Sequence, residues 1–137
     1  MATAPTITLS SRDLDRLEQL LEAPGMAGNP AAAALGRELE RANVVEPADM
    51  PDDVVTMNSQ VTCVDDVGGE THRLTLVYPR DADVDRHRVS VLAPVGTALL
   101  GLSVGQTIDW IAPGGRSLRL RVTAIAYQPE AAGDHTL

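Results

Sequence analysis

The spacing of apolar residues changes once along this chain. From Leu14 to Ala42 they recur at helical intervals, and from Val54 onward they alternate with polar residues. One element cannot serve both periods, so a helical section must be followed by a sheet. The fold class this predicts is α+β. Leu14, Leu17, Leu20 and Leu21 share one face of a first helix, with Asp15, Arg16, Glu18 and Gln19 elsewhere. Ser10 followed by Asp13 resembles a capping box, with Asp where Glu is usual, and Pro24-Gly25 ends the helix. Asn29 and Pro30 open a second helix as N-cap and first helical residue. Ala32, Leu35, Leu39 and Ala42 form its apolar stripe. A connection of about six residues predicts an antiparallel hairpin. Its first helix spans roughly thirteen residues, or roughly 20 Å.

This divides the chain into an N-terminal antiparallel helical hairpin (a short coiled coil) over 1–45, a Pro-rich acidic linker over 46–53, and a sheet domain over 54–137. Residues 1–9 are expected to be a short extended lead. In the sheet domain Val54–Met57 reads as a short strand, Gln60–Val67 as a longer one, and Gly68-Gly69 as a hairpin turn into Thr71–Tyr78. A polar loop, 79–87, leads to a strand around Val89 and Val91. Pro94 then opens a short helix that Gly101 closes at positive φ. Thr107–Ala112 is a further strand, ended by Pro113-Gly114-Gly115. Leu118–Tyr127 is the last, with Leu118, Leu120, Val122, Ala124 and Ala126 inward. The expected architecture is about five antiparallel strands with one short helix, and a loose tail over 128–137.

The net charge of −8 and the absence of lysine argue against a protein that grips nucleic acid through phosphates. A single cysteine forms no internal disulfide, and no apolar run approaches the length of a membrane span. These features predict a soluble, cytoplasmic chain. With no Phe, one Trp and two Tyr, the core must be built from aliphatic residues.

The search for chemistry yields little. Asp81-Ala-Asp-Val-Asp85 has the opening spacing of a calcium loop, but Arg86 stands where Gly is required and Leu92 where Glu is required. A solvated loop is the better reading. His72, His87, His135 and Cys63 lack paired metal spacing. No Ser, Cys or His sits in a nucleophile motif, and neither Gly pair is followed by the helix and Lys of a phosphate loop. Cys63 reads as a small core residue. Trp110 reads as core, or as the floor of a small pocket. No cofactor and no metal is expected.

Ala93-Pro-Val-Gly-Thr-Ala-Leu-Leu-Gly-Leu-Ser-Val-Gly-Gln-Thr-Ile108, with Ala112-Pro-Gly-Gly115, resembles the C-terminal domain of the Gre transcript-cleavage factors. That family shares the pattern S-P-x-(G/A)-x-A-L-L-x-x-x-V-G-D. Asp53-Val-Val-Thr-Met-Asn-Ser59, Leu76-Val-Tyr-Pro79 and Tyr127-Gln-Pro-Glu-Ala-Ala-Gly-Asp134 are similar to its Rnk branch, the regulators of nucleoside diphosphate kinase. The resemblance covers nearly the whole chain.

It implies an FKBP-like sheet domain that docks on the rim of the RNA polymerase secondary channel, with the hairpin pointing into the channel. The implied docking segment is Ser90, Leu92, Ala93 and Pro94, where Leu92-Ala93-Pro94 replaces the acidic residue that Gre factors tend to carry before S-P. In Gre factors the hairpin tip holds a catalytic metal through an Asp and a Glu. Here the tip, Glu22, Pro24, Gly25, Met26 and Asn29, offers one carboxylate, a poor magnesium ligand set. The implied function is therefore a non-enzymatic regulator that competes with Gre factors and does not stimulate cleavage. The alternatives are direct binding of nucleoside diphosphate kinase, which no residue separates from an effect through transcription, and a peptidyl-prolyl isomerase. The isomerase reading rests on fold analogy alone, in a domain with three aromatic residues. No direct nucleic-acid or membrane partner is expected.

Overall fold

The computed structural model describes residues 7–111 and 117–133. The hairpin forms as its periodicity predicts. Helix α1 (Ser11–Glu22) begins at Ser10, whose side chain accepts from the Asp13 N–H at 3.0 Å. Helix α2 (Pro30–Glu40) begins at Asn29, whose Oδ1 accepts from the N–H groups of Ala31 and Ala32. Leu17, Leu35 and Leu39 are buried.

The hairpin is closed at its foot by a pairing the sequence did not announce. Strand β1 (Thr8–Ser10) runs straight into α1, and β2 (Asn43–Val45) follows α2. The two pair in parallel, Thr8 opposite Asn43 and Ser10 opposite Val45. The start of α1 and the end of α2 therefore lie together, which makes the helices antiparallel. From Ile7 onward the chain is anchored in the core: Ile7 and Leu9 are fully buried.

A curled five-stranded sheet follows, in the order β5-β4-β3-β7-β6. Its strands are β3 (Gln60–Asp65), β4 (Thr71–Val77), β5 (Arg88–Ser90), β6 (Thr107–Ile111) and β7 (Ser117–Tyr127). Helix α3 (Pro94–Leu99) lies between β5 and β6, and α4 (Pro129–Ala132) follows β7. Ile7, Leu9, Leu17, Leu35 and Leu39 belong to the same apolar cluster as Val61, Cys63, Leu99 and Val122. No helix among the described residues is long and apolar enough to cross a membrane.

Four expectations need correction. The sheet is not wholly antiparallel: β5 runs parallel to β4. Residues 78–87 make a crossover of two short 3-10 turns, Pro79–Asp81 and Val84–Arg86, which returns the chain to the same end of the sheet before β5 begins. Val54–Met57 is not a strand. Val54 makes one bridge to Ser103, and the segment is buried as a loop because its apolar side chains fill the space under the hairpin.

On β7, Ala124 and Ala126 face solvent while Ile125 packs inward. The pairing with β3 jumps from Cys63↔Val122 to Thr62↔Ala124, so one extra residue inverts the alternation beyond it. Finally, the start of the tail is ordered. Gln128 is buried, its side chain donates to the Pro51 and Val54 carbonyls, and it caps α4 by accepting from the Ala131 N–H. The side chain of Trp110, the Pro113–Gly115 turn and His135 lie outside what is described.

Candidate docking site and hairpin tip

The residues singled out from the sequence fall in two places. The first is the turn between β5 and α3. Ser90 ends β5, and its Oγ accepts from the Leu92 N–H at 3.1 Å while its carbonyl accepts from the Ala93 N–H at 3.0 Å. Ala93 is the N-cap of α3, without a side-chain cap bond, and Pro94 is the first helical residue. Leu92 is half-buried and packs against the core. Two further residues hold this turn tight. Thr97 Oγ1 donates to the Val91 carbonyl at 2.6 Å, and Gly96 approaches so closely that a Cβ there would collide with the Ser90 carbonyl. The glycine in the Pro-x-Gly sequence was the available signal for that approach.

The second place is the hairpin tip. Glu22 ends α1 and is exposed, Ala23 caps the helix, and Pro24 is exposed. Gly25 and Gly28 take positive φ, +89° and +78°, in open space. The Met26 N–H donates to the Ala23 carbonyl and the Asn29 N–H to the Met26 carbonyl. Met26 is half-buried beside a shallow hollow that Leu21 and Ala32 also line. No backbone hydrogen bond among the described residues joins the tip to the docking turn. Among the described residues no group of three or more His, Cys, Asp or Glu is placed to hold a metal ion.

A polar junction that sequence reasoning missed ties α1 to the 54–59 loop. Asp13 was expected to reach back to Ser10. Instead it is 4% exposed and its Oδ2 accepts from the Met57 N–H at 3.1 Å, joining α1 to the 54–59 loop. Thr56 Oγ1 donates to Glu130 of α4 at 2.9 Å and shares a 2.8 Å bond with Ser59. Burial first, then the charge of Glu130, push Asp13 up to about 7, against the opposing pull of the Met57 N–H, Arg16 and Arg12. The one signal was the shorter acid in the capping box. At the sheet's other end, buried Asp65 accepts from the Val67 and Gly68 N–H groups and shapes the β3–β4 turn. Burial raises the Cys63 thiol to about 11, as befits a core residue.

Against this geometry stand the known proteins. Residues 50–127 match the family described as transcription elongation factor GreA/GreB, C-terminal. Residues 5–45 match the Rnk N-terminus. The chain is 50% identical to the Regulator of nucleoside diphosphate kinase of Escherichia coli K12 over 133 residues, 97% of this chain and 98% of that protein.

The chain belongs to the Rnk branch of the GreA/GreB family.

Two solved structures set this member in the family's structural range. A prokaryotic transcription elongation factor GreA/GreB from Nitrosomonas europaea is 47% identical, superposes with a TM-score of 0.75, and is matched over 90% of this chain and 99% of that one. The GreA factor homolog Gfh1 of Thermus thermophilus, 24% identical with a TM-score of 0.50 over 90% and 100% of the two chains, shares the fold alone. The mixed α and β architecture is thus GreA/GreB-like, and the close relatives bear the names of regulators and elongation factors.

Proposed function

We propose that this Rnk-branch chain is a non-enzymatic transcription regulator that binds core RNA polymerase near the secondary channel, competes there with Gre factors and does not stimulate transcript cleavage. The observation that carries the reading is the tip. A first helix of 12 residues is about 18 Å long, and its exposed end presents Glu22 alone, where residues 22–30 contain no second acid. Such a hairpin can occupy an entrance without supplying a metal-binding pair. The docking contact belongs to Ser90, Leu92, Ala93 and Pro94. The reading treats residues 54–137 as an FKBP-like docking unit joined by 46–53 to the hairpin unit, in a cytoplasmic protein.

The test is binding of the labelled chain to core RNA polymerase with a Gre factor as competitor. Saturable binding that the Gre factor displaces supports the shared site. No binding at micromolar concentration sinks it. Ser90→Ala then probes the docking turn more cleanly than Leu92→Asp, which would set a charge against the core. The name carried by the Escherichia coli relative favours a second reading, direct engagement of nucleoside diphosphate kinase, with any effect on its level through transcription as the competing account. A pull-down against the purified kinase separates the two.

A further inference from the structure

Strands β4 and β5 run parallel and end side by side, Val77 opposite Ser90. The segments that follow them therefore leave the sheet at the same end, and the Val91 N–H donates back to the Val77 carbonyl at 2.9 Å. One segment is the docking turn, 90–94. The other, Tyr78 to Asp81, forms one wall of a groove of about 690 Å³ whose opposite wall is Arg16, Gln19 and Leu20 of α1. Asn58, at φ +65°, lies between them. The groove thus spans hairpin and sheet.

Its charge runs against the rest of the molecule. The chain carries −8 overall, yet two guanidinium groups, Arg16 and Arg80, line this groove, and Asp81 is the one acid among the lining residues. The Arg80 side chain is 84% exposed and meets Asp81 only at 3.7 Å, a long and solvated pair. Both arginines act on the Tyr78 hydroxyl, which lies within reach of their charge. The acid that acts on Tyr78 is Asp13, buried and bonded to Met57. The exposed guanidinium of Arg80, beside half-buried Arg16 and the hydrogen-bonding side chains of Gln19 and Asn58, suits a planar carboxylate, which Arg recognises with two parallel bonds.

We propose that this groove receives a carboxylate-bearing segment of the polymerase surface that docks on 90–94, so that a single partner grips the sheet and α1 together and thereby fixes the direction of the hairpin. The proposal rests on the polymerase-docking reading and adds to it the chemistry of the contact.

The test uses the full chain and core polymerase at low and high salt. Displacement of the unaltered chain by a Gre factor first establishes the docking reading on its own. Arg80→Glu is then expected to weaken binding about tenfold at low salt and to flatten the salt dependence. Its thermal midpoint should be unchanged, since the side chain is exposed. Arg80→Lys, which keeps the charge but loses the two-bond geometry, should bind between the two, about threefold weaker than the unaltered chain. Arg121→Glu makes the same charge change toward the sheet's other end, where Arg121 pairs with Asp66, and should bind as the unaltered chain does. If Arg80→Glu and the unaltered chain bind equally while Gre competition persists, the groove is not a contact and the proposal fails alone. If Arg121→Glu weakens binding as much as Arg80→Glu, the effect is one of net charge and the groove is again excluded. If the unaltered chain does not bind, both readings fall.

Discussion

The two ends of the hairpin are built on opposite principles. Among the described residues the bonds at the tip are local: the Asn29 side chain accepts from the Ala31 and Ala32 N–H groups two and three residues on, and the turn from Ala23 to Asn29 is held by its own carbonyls. At the foot almost every bond is long-range. Ile7 and Thr8 meet Gly101, the Asn43 N–H donates to the Ile7 carbonyl at 2.9 Å, and Asp13 bonds to Met57, 44 residues away in sequence. The tip is a replaceable end on a fixed mount. Changes at the foot should cost folding, and changes at the tip should cost only what the tip touches.

The sharpest way to break this contrast is Gly101→Ala. Gly101 sits at φ +81°, and a Cβ there would lie 2.6 Å from the Ile7 Cβ. Strain and collision together predict a loss of about 3 kcal/mol or more in urea unfolding; a loss below about 1 kcal/mol would mean that the lead strand moves aside freely and the foot is soft.

Next comes acidity. Asp13 rises from 3.8 to about 7 on folding, so between those values the folded state holds a proton that the unfolded chain has released. Its contribution to stability is complete below about pH 4 and is lost as pH climbs through about 7. Asp13→Asn should remove that decline and be the more stable of the two at pH 8, by a few kcal/mol at most. Parallel stability curves from pH 4 to 8 would show that the foot carries no such proton.

At the tip, Asn29→Ala should cost about 1 kcal/mol by loss of the cap, seen as a lowered thermal midpoint with unchanged polymerase affinity. Smallest of all, Glu22→Gln should alter stability by less than about 0.5 kcal/mol. It should also leave the polymerase's intrinsic transcript cleavage unchanged. A clear change in cleavage would show that the lone carboxylate reaches the reaction.

The same contrast separates what could be read in the sequence from what could not. Helices α1 to α3, the Ser10 and Asn29 caps and the positive φ at Gly101 were legible because each depends on neighbours a few residues away. The Asp13–Met57 bond, the β1–β2 pairing and the parallel placement of β5 depend on partners that only the folded chain assembles. The inverted face of β7 is an intermediate case. The alternation from Leu118 to Ala126 is real in the sequence, and small Ala residues fit either face, so nothing local marked the extra residue beside Thr62. At the candidate site the turn proposed for docking was singled out by its motif, whereas the Arg16–Arg80 groove had no local signal. Its two walls are 64 positions apart and converge only in the folded chain.

The parallel pairing of β1 with β2 also bears on how such chains diverge. Because the hairpin is clamped where it enters and leaves, matched insertions or deletions of whole helical turns near residues 22–30 would change its length like the sliding section of a telescope. Every contact at the mount would stay in place. Reach and anchorage can then drift independently across a lineage, one under selection for what the tip meets and the other for a stable seat.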